Sequence, residues 1–87
     1  MNTFRLNISS YEGTVFEEEV TMLILRGASG DLAIMAGHIP FATSVVPGEI
    51  RIMIDDAKEL KAKTDGGLLT VDKDKTTLLS GSFQWVE

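Results

Sequence analysis

Cysteine is absent from this 87-residue chain. That excludes a disulfide framework and a thiolate metal site, and it fits a reducing compartment. There is a single histidine, so no pair of imidazoles can hold a metal. Aromatic residues make up only 7% of the chain, so a core has to be built from Ile, Leu, Val and Met. Positive charge is scarce, with 8 Lys and Arg against 13 Asp and Glu and a formal net charge of −5. Nucleic acid and anionic lipid both require a basic surface, so neither is an expected partner. A protein with this balance working near a membrane must be held there by another protein. Long apolar runs are also missing. No window approaches the roughly 20 apolar residues of a spanning helix, and Asn2, Thr3 and Arg5 interrupt any apolar start after Met1, so neither membrane insertion nor a secretory leader is expected.

What is present is a globular composition, 44% hydrophobic and 24% charged, at a length suited to one small domain over residues 1–87. Such a chain buries about 60–65% of its unfolded surface. No segment sustains a 3.6-residue period. Phe4, Leu6 and Ile8 alternate with Arg5, Asn7 and Ser9, which is the period of a strand with one buried face. Ser10 to Gly13 reads as a turn and Thr14 to Phe16 as a short strand. Glu17-Glu18-Glu19 reads as a solvated bend or strand edge, since adjacent carboxylates on a strand face opposite ways and make a poor metal cage. Val20 to Leu25 reads as one central strand, apolar on both faces. Glu49 to Ile54 turns Ile50, Ile52 and Ile54 inward, and Asp55-Asp56-Ala57 is a hairpin signal. Leu60 and Ala62 face inward on the next strand. Thr64 to Gly67 is a turn, Leu68 to Val71 and Thr76 to Leu79 are strands around the charged turn Asp72 to Lys75, and Phe83, Trp85 and Val86 form a last apolar cluster. Short strands with a turn every 8–12 residues or so predict an all-β sandwich or barrel.

The middle of the chain organises this pattern. Gly27-Ala-Ser-Gly30-Asp31 reads as a loop, with an Asx turn as the plain role of Asp31. Leu32 to Met35 is too short for a helix. Pro40 keeps Ile39 out of the α region, Phe41 to Val46 is a strand, and Pro47-Gly48 is a turn.

His38 is where an enzyme reading would begin, with Asp31 or Glu49 orienting it and Ser44 as nucleophile. No nucleophile elbow or oxyanion-forming turn accompanies them, so a structural or interface role is expected instead. Gly27-x-x-Gly30 and Gly66-Gly67 lack the Lys-Ser/Thr of a phosphate loop and read as turns. Met22, Met35 and Met53 read as core or contact filler, with Met53 and Arg51 on an outward face open to a partner. A biotinyl or lipoyl carrier domain is the alternative for a small acidic β chain. It would need an exposed Lys at a hairpin tip between hydrophobic neighbours, whereas Lys73 and Lys75 stand beside Asp72 and Asp74.

Gly30-Asp-Leu-Ala-Ile-Met-Ala-Gly-His-Ile-Pro-Phe-Ala-Thr43, followed by Val-Val-Pro-Gly-Glu-Ile-Arg-Ile, resembles the signature of the epsilon-subunit family of the bacterial F-type ATP synthase. Ala36 stands where the family commonly has Pro, and Phe41 where it commonly has Leu. Phe4 to Ser10 resembles the family's first strand, and Gly66 to Leu79 its late hairpin, so the resemblance covers nearly the whole chain. It implies a flattened sandwich of about ten short strands in two sheets, without the C-terminal helical hairpin that the family usually carries. Inhibition and ATP binding by that hairpin are therefore not carried over. The resemblance further implies a non-catalytic, cofactor-free central-stalk rotor subunit, peripheral on the cytoplasmic face of the bacterial membrane. Such a subunit couples proton- or sodium-driven rotation of the ring to ATP synthesis. Its partners would be the gamma subunit, through Ser10, Gly37, His38 and Thr43, and the rotor-ring c subunits, through Gly30, Asp31 and Leu32. There the polar loops of the ring offer Arg or Gln.

Overall fold

Side chains alternate between the two faces of a strand, so each run of alternating apolar residues supplies one strand with one buried face. The computed structural model describes residues 2–86, so the two ends of the expected domain, Met1 and Glu87, lie outside the described residues. Ten strands form: β1 (Phe4–Ser10), β2 (Gly13–Val20), β3 (Met22–Gly27), β4 (Gly30–Met35), β5 (Phe41–Val45), β6 (Gly48–Asp55), β7 (Lys58–Thr64), β8 (Gly67–Val71), β9 (Lys75–Ser80) and β10 (Phe83–Val86). There is no helix among the described residues.

Hydrogen-bonded pairing runs through the whole set, with β4 attached to β3 alone. It passes from β3 to β5 through the single pair Gly27↔Val45. At that junction Ala28 N donates to Ser44 O (3.1 Å) and Val46 N to Arg26 O (3.0 Å). The strands therefore divide into one layer in the order β10-β7-β6-β3-β4 and a second in the order β5-β8-β9-β1-β2, the expected two-sheet sandwich. All pairings are antiparallel except β1 with β9. Across the gap between the two outermost strands, Phe16 on β2 meets Trp85 on β10 edge-on at 5.8 Å, and Phe83 braces Trp85 at 4.9 Å, nearly closing the sandwich into a barrel.

The core is almost wholly aliphatic. Leu6 and Ile8 (β1), Val20 (β2), Leu23 (β3), Ile50 and Ile52 (β6), Ala62 (β7), Leu69 (β8) and Leu78 (β9) are completely buried. Each large side chain here contributes roughly 1.5–3 kcal/mol of hydrophobic stabilisation. The rest of the inner face is completed by half-buried Phe4, Leu32, Phe41, Ile54, Leu60 and Phe83. At one end a buried polar knot ties the turns together. Thr64 Oγ1 and Ser80 Oγ lie 2.5 Å apart, Gly66 N donates to Thr64 Oγ1 (3.1 Å), and Ser82 N donates to Asp65 Oδ1 (2.7 Å).

Two sequence expectations are corrected. Val20 to Leu25 is not one strand: Val20 ends β2, and the chain bends at Thr21. There Thr21 N and Oγ1 both donate to Met53 O, at 2.8 and 3.0 Å. The expected loop from Gly27 to Asp31 contracts to the two-residue turn Ala28-Ser29, because Arg26↔Asp31 and Gly27↔Gly30 remain in the ladder. Gly30 makes this possible with φ +127°, a region that favours glycine. The acidic triplet belongs to edge strand β2 and is exposed. Glu18 lies opposite Leu6, so it points to the inner side at the margin of the layer, a placement that discourages edge-to-edge pairing.

Candidate functional site

The strands alternate in direction, which gathers the turns at two ends. One end carries Ser10, the Ala28-Ser29 turn, Pro47, Gly66 and Gly81. The other carries Thr21, the β4–β5 connection, Asp56-Ala57 and Asp72 to Asp74. Strand β4 joins the two, so Gly30-Asp31 and Gly37-His38 sit at opposite ends, separated by roughly 15 Å of strand.

At the first end, Asp31 forms no Asx turn. It faces Arg26 directly across the hairpin, and Arg26 Nε donates to Asp31 Oδ1 at 2.9 Å. The pair is exposed on both sides, so its own worth to stability is about 0–1 kcal/mol. Its effect is to hold the carboxylate at the exposed hairpin margin. Sequence reasoning missed Arg26, because only the cross-strand register shows the pairing. Leu32 faces the core, opposite Leu25, so of the three residues Gly30, Asp31 and Leu32 only Asp31 offers its side chain to solvent.

At the second end, His38 N donates to Met35 O at 3.2 Å, and Gly37 has φ +84° while Ala36 does not have a positive φ. These features define a type II turn over Met35 to His38, with Gly37 at the position that demands it. His38 Nδ1 donates to Ile39 O at 3.0 Å. The ring also tilts against Phe41 at 5.0 Å, which leaves Nε2 free at the surface. The neighbouring Ile39 is 77% exposed. Among the described residues His38 makes no ion pair with a carboxylate; Asp31 is at the far end of β4 with Arg26. No group of three or more His, Cys, Asp or Glu suited to a metal occurs among the described residues.

Ser10 and Thr43 are not neighbours of His38. Ser10 ends β1 at the opposite end of its layer, where its Oγ accepts from Glu12 N (3.2 Å). It stands three strands away from β5, about 14 Å. Thr43 lies mid-way along β5 on the inner side, opposite Leu69, with Oγ1 donating to Ser44 O (3.3 Å). Between these corners spreads the outer face of the second layer. Its register aligns Ser44, Leu68, Leu79 and Ser9 in one row and Ala42, Thr70, Thr77 and Asn7 in the next. From β5 to β1 both rows are uncharged, and the second ends at Glu17 on β2, opposite Asn7; Leu68 and Leu79 are exposed. The sequence does hold a signal for this face. Leu68-Leu69 and Leu78-Leu79 are adjacent pairs, and a strand covered on one face buries only one of each.

Lys73, on which the carrier reading depends, is exposed in the β8–β9 turn between Asp72 and Asp74, where Asp72 N donates to Lys75 O at 2.8 Å. It has carboxylates, not apolar groups, on either side.

The family model described as ATP synthase, Delta/Epsilon chain, beta-sandwich domain matches residues 3–86. The chain is 34% identical over 98% of its length to the sodium-ion-specific ATP synthase epsilon chain of Acetobacterium woodii, of which it covers 64%. It is 39% identical over 97% of its length to the ATP synthase epsilon chain of Alkaliphilus metalliredigens, of which it covers 62%. The chain thus spans less than two thirds of these relatives. Among solved structures, a chain of the Euglena gracilis mitochondrial ATP synthase (OSCP/F1/c-ring) superposes with a TM-score of 0.89 at 16% identity, over 95% of this chain and 53% of that one. A chain of the Tetrahymena thermophila mitochondrial ATP synthase central stalk and c-ring gives 0.80 at 10% identity, over 94% and 66%. These two likenesses speak to the fold.

Proposed function

Because the chain belongs to the Delta/Epsilon β-sandwich family of ATP synthase, we propose that it is the sandwich domain of a bacterial F1Fo epsilon subunit. In this reading it is a non-catalytic part of the central stalk, on the cytoplasmic face of the membrane. It docks on the gamma subunit and on the c subunits of the rotor ring. It makes and breaks no bonds; by joining the two partners it lets ion-driven rotation of the ring turn gamma for ATP synthesis. The observation that carries the reading is the family match over residues 3–86.

The geometry supports two partners. Asp31 stands at one end of the sandwich among small polar turns, a surface suited to polar loops of the ring. The uncharged rows with Leu68 and Leu79 are bounded by Ser10 at one corner and the Gly37-His38 turn at the other. They have the apolar, charge-depleted character of an interface centre. We assign this face, with Ser10, Gly37 and His38 at its corners, to gamma; Thr43, whose side chain lies on the inner side opposite Leu69, would take part only through its backbone.

The test is size-exclusion chromatography with gamma from the same organism. A stoichiometric complex is expected, and Leu68→Glu combined with Leu79→Glu on the outer face should abolish it while leaving the fold intact. Folded protein that never co-elutes with gamma at micromolar concentration and low salt would sink the reading.

A further inference from the structure

Three of the four methionines fall into one line. Met22 on β3 lies directly opposite Met35 on β4 on one side and Met53 on β6 on the other. All three therefore point to the outer face of the first layer, on the side of the sandwich away from Leu68 and Leu79. Directly opposed residues stand about 4.5–5.5 Å apart at Cβ, so the three thioethers are contiguous. They line a depression of about 360 Å³ with Thr21, Ala36 and the two carboxylates Asp55 and Asp56. Met35 is 50% exposed. Neither aspartate makes an ion pair among the described residues. Asp55 caps its own turn by accepting from Ala57 N at 2.8 Å, and Asp56 is exposed.

We infer that this depression is a second docking site, and that its occupant is a large apolar side chain carried on a basic segment of a partner protein. Unbranched, polarizable thioethers can remodel around an inserted group, which makes Met-lined surfaces adaptable receptors. The charge of the occupant follows from the rim. An acidic segment would bring its carboxylates against Asp55 and Asp56, whereas a Lys or Arg beside the inserted side chain would meet them. The volume admits one large side chain, so the site reads one apolar anchor flanked by positive charge, the pattern of an amphipathic helix laid in a groove. Asn2 also lines the depression and supplies a neutral hydrogen-bonding edge. The site opens on the opposite face from Leu68 and Leu79, and it adjoins the gamma assignment only where Met35 and Ala36 share a turn with Gly37 and His38.

The experiment is NMR of the chain labelled at the methionine methyls, titrated with a Leu/Lys amphipathic peptide of about 14 residues and with its Leu/Glu counterpart. The Leu/Lys peptide is expected to shift the methyls of Met22, Met35 and Met53 saturably, and the Leu/Glu peptide to bind at least about tenfold more weakly. Asp55→Asn with Asp56→Asn keeps the turn acceptor and removes both charges. That pair should weaken the Leu/Lys peptide about fivefold and flatten its salt dependence. Met35→Lys, on the exposed margin of an edge strand, should weaken it by about tenfold or more. Equal binding of both peptides, or no shift of the three methionine methyls at about 1 mM peptide, would each overturn the inference. So would methyl shifts that follow dilution of the chain alone, which would make a second copy the occupant.

Discussion

The Met35-to-His38 turn yields a prediction whose sign reverses between adjacent residues. Gly37 has φ +84°, and a Cβ added there would meet no atom within 4 Å. Alanine at this position therefore suffers only the backbone penalty of the left-handed region, about 1–2 kcal/mol. Loss of glycine's freedom in the unfolded chain offsets about 0.4–1 kcal/mol of it. Gly37→Ala should thus cost about 1 kcal/mol, or about 4–8 °C in Tm for a domain of this size. Asn tolerates that conformation better, so Gly37→Asn should cost less than Gly37→Ala despite its larger side chain. Ala36 is the second residue of the turn, where proline's fixed φ is suited, and Ala36→Pro should gain about 0.4–1 kcal/mol. Urea or thermal unfolding followed by circular dichroism reads all three. A Gly37→Ala loss near zero, or Asn costing more than Ala, would refute the type II geometry. A loss above about 3 kcal/mol would show that the added methyl collides with something, since losses of that size require a named steric or packing cause. If Gly37 also touches gamma, the Asn variant will bind gamma more weakly than its small stability change explains.

Three further outcomes follow from the packing. Gly67→Ala should prevent folding or cost more than about 3 kcal/mol, because the new methyl would overlap the Leu79 carbonyl oxygen, a backbone atom held in the β8–β9 ladder; soluble yield and urea midpoint report it. Ser80→Ala should cost about 1–3 kcal/mol by leaving the buried Thr64 hydroxyl with fewer partners, with Ser80→Thr a milder change; equilibrium unfolding measures both. Asp31→Asn should alter stability by less than about 0.5 kcal/mol, since its pair with Arg26 is exposed. It should still weaken retention on detergent-solubilised rotor ring, and unchanged retention would remove Asp31 from that interface.

Much of this architecture is legible in the chain because alternation alone decides it. Ile50, Ile52 and Ile54 opposite Leu60 and Ala62 specify a hairpin with one wet face, and no tertiary partner is needed to see it. The break at Thr21 is different. Val20 and Met22 are both apolar, and the bend depends on a carbonyl at Met53, 32 positions away in sequence. Asp31 reads locally as a turn residue, and only the register with β3 reveals Arg26. The same holds for Met22, Met35 and Met53, three unremarkable filler residues until three strands are aligned. Of the signature residues, the Gly37 turn is decided by local rules. The distance between Ser10 and His38 depends on strand order and is invisible in the sequence.

The single parallel pairing sets an order of events during synthesis. Strand β1 finds its parallel neighbour only in β9, where Arg5 pairs with Lys75 and Ser9 with Leu79, 70 positions later. At about 5–20 residues per second, the first hairpin emerges several seconds before the strand that completes its layer. Throughout that interval Leu6, Ile8, Phe16 and Val20 form an apolar surface with one open edge on the nascent chain. The carboxylates of Glu17, Glu18 and Glu19 stand along the other edge, with Glu18 turned to the apolar side. The acidic run would then guard its edge on the ribosome as it does in the finished sandwich, where β2 is still an outermost strand.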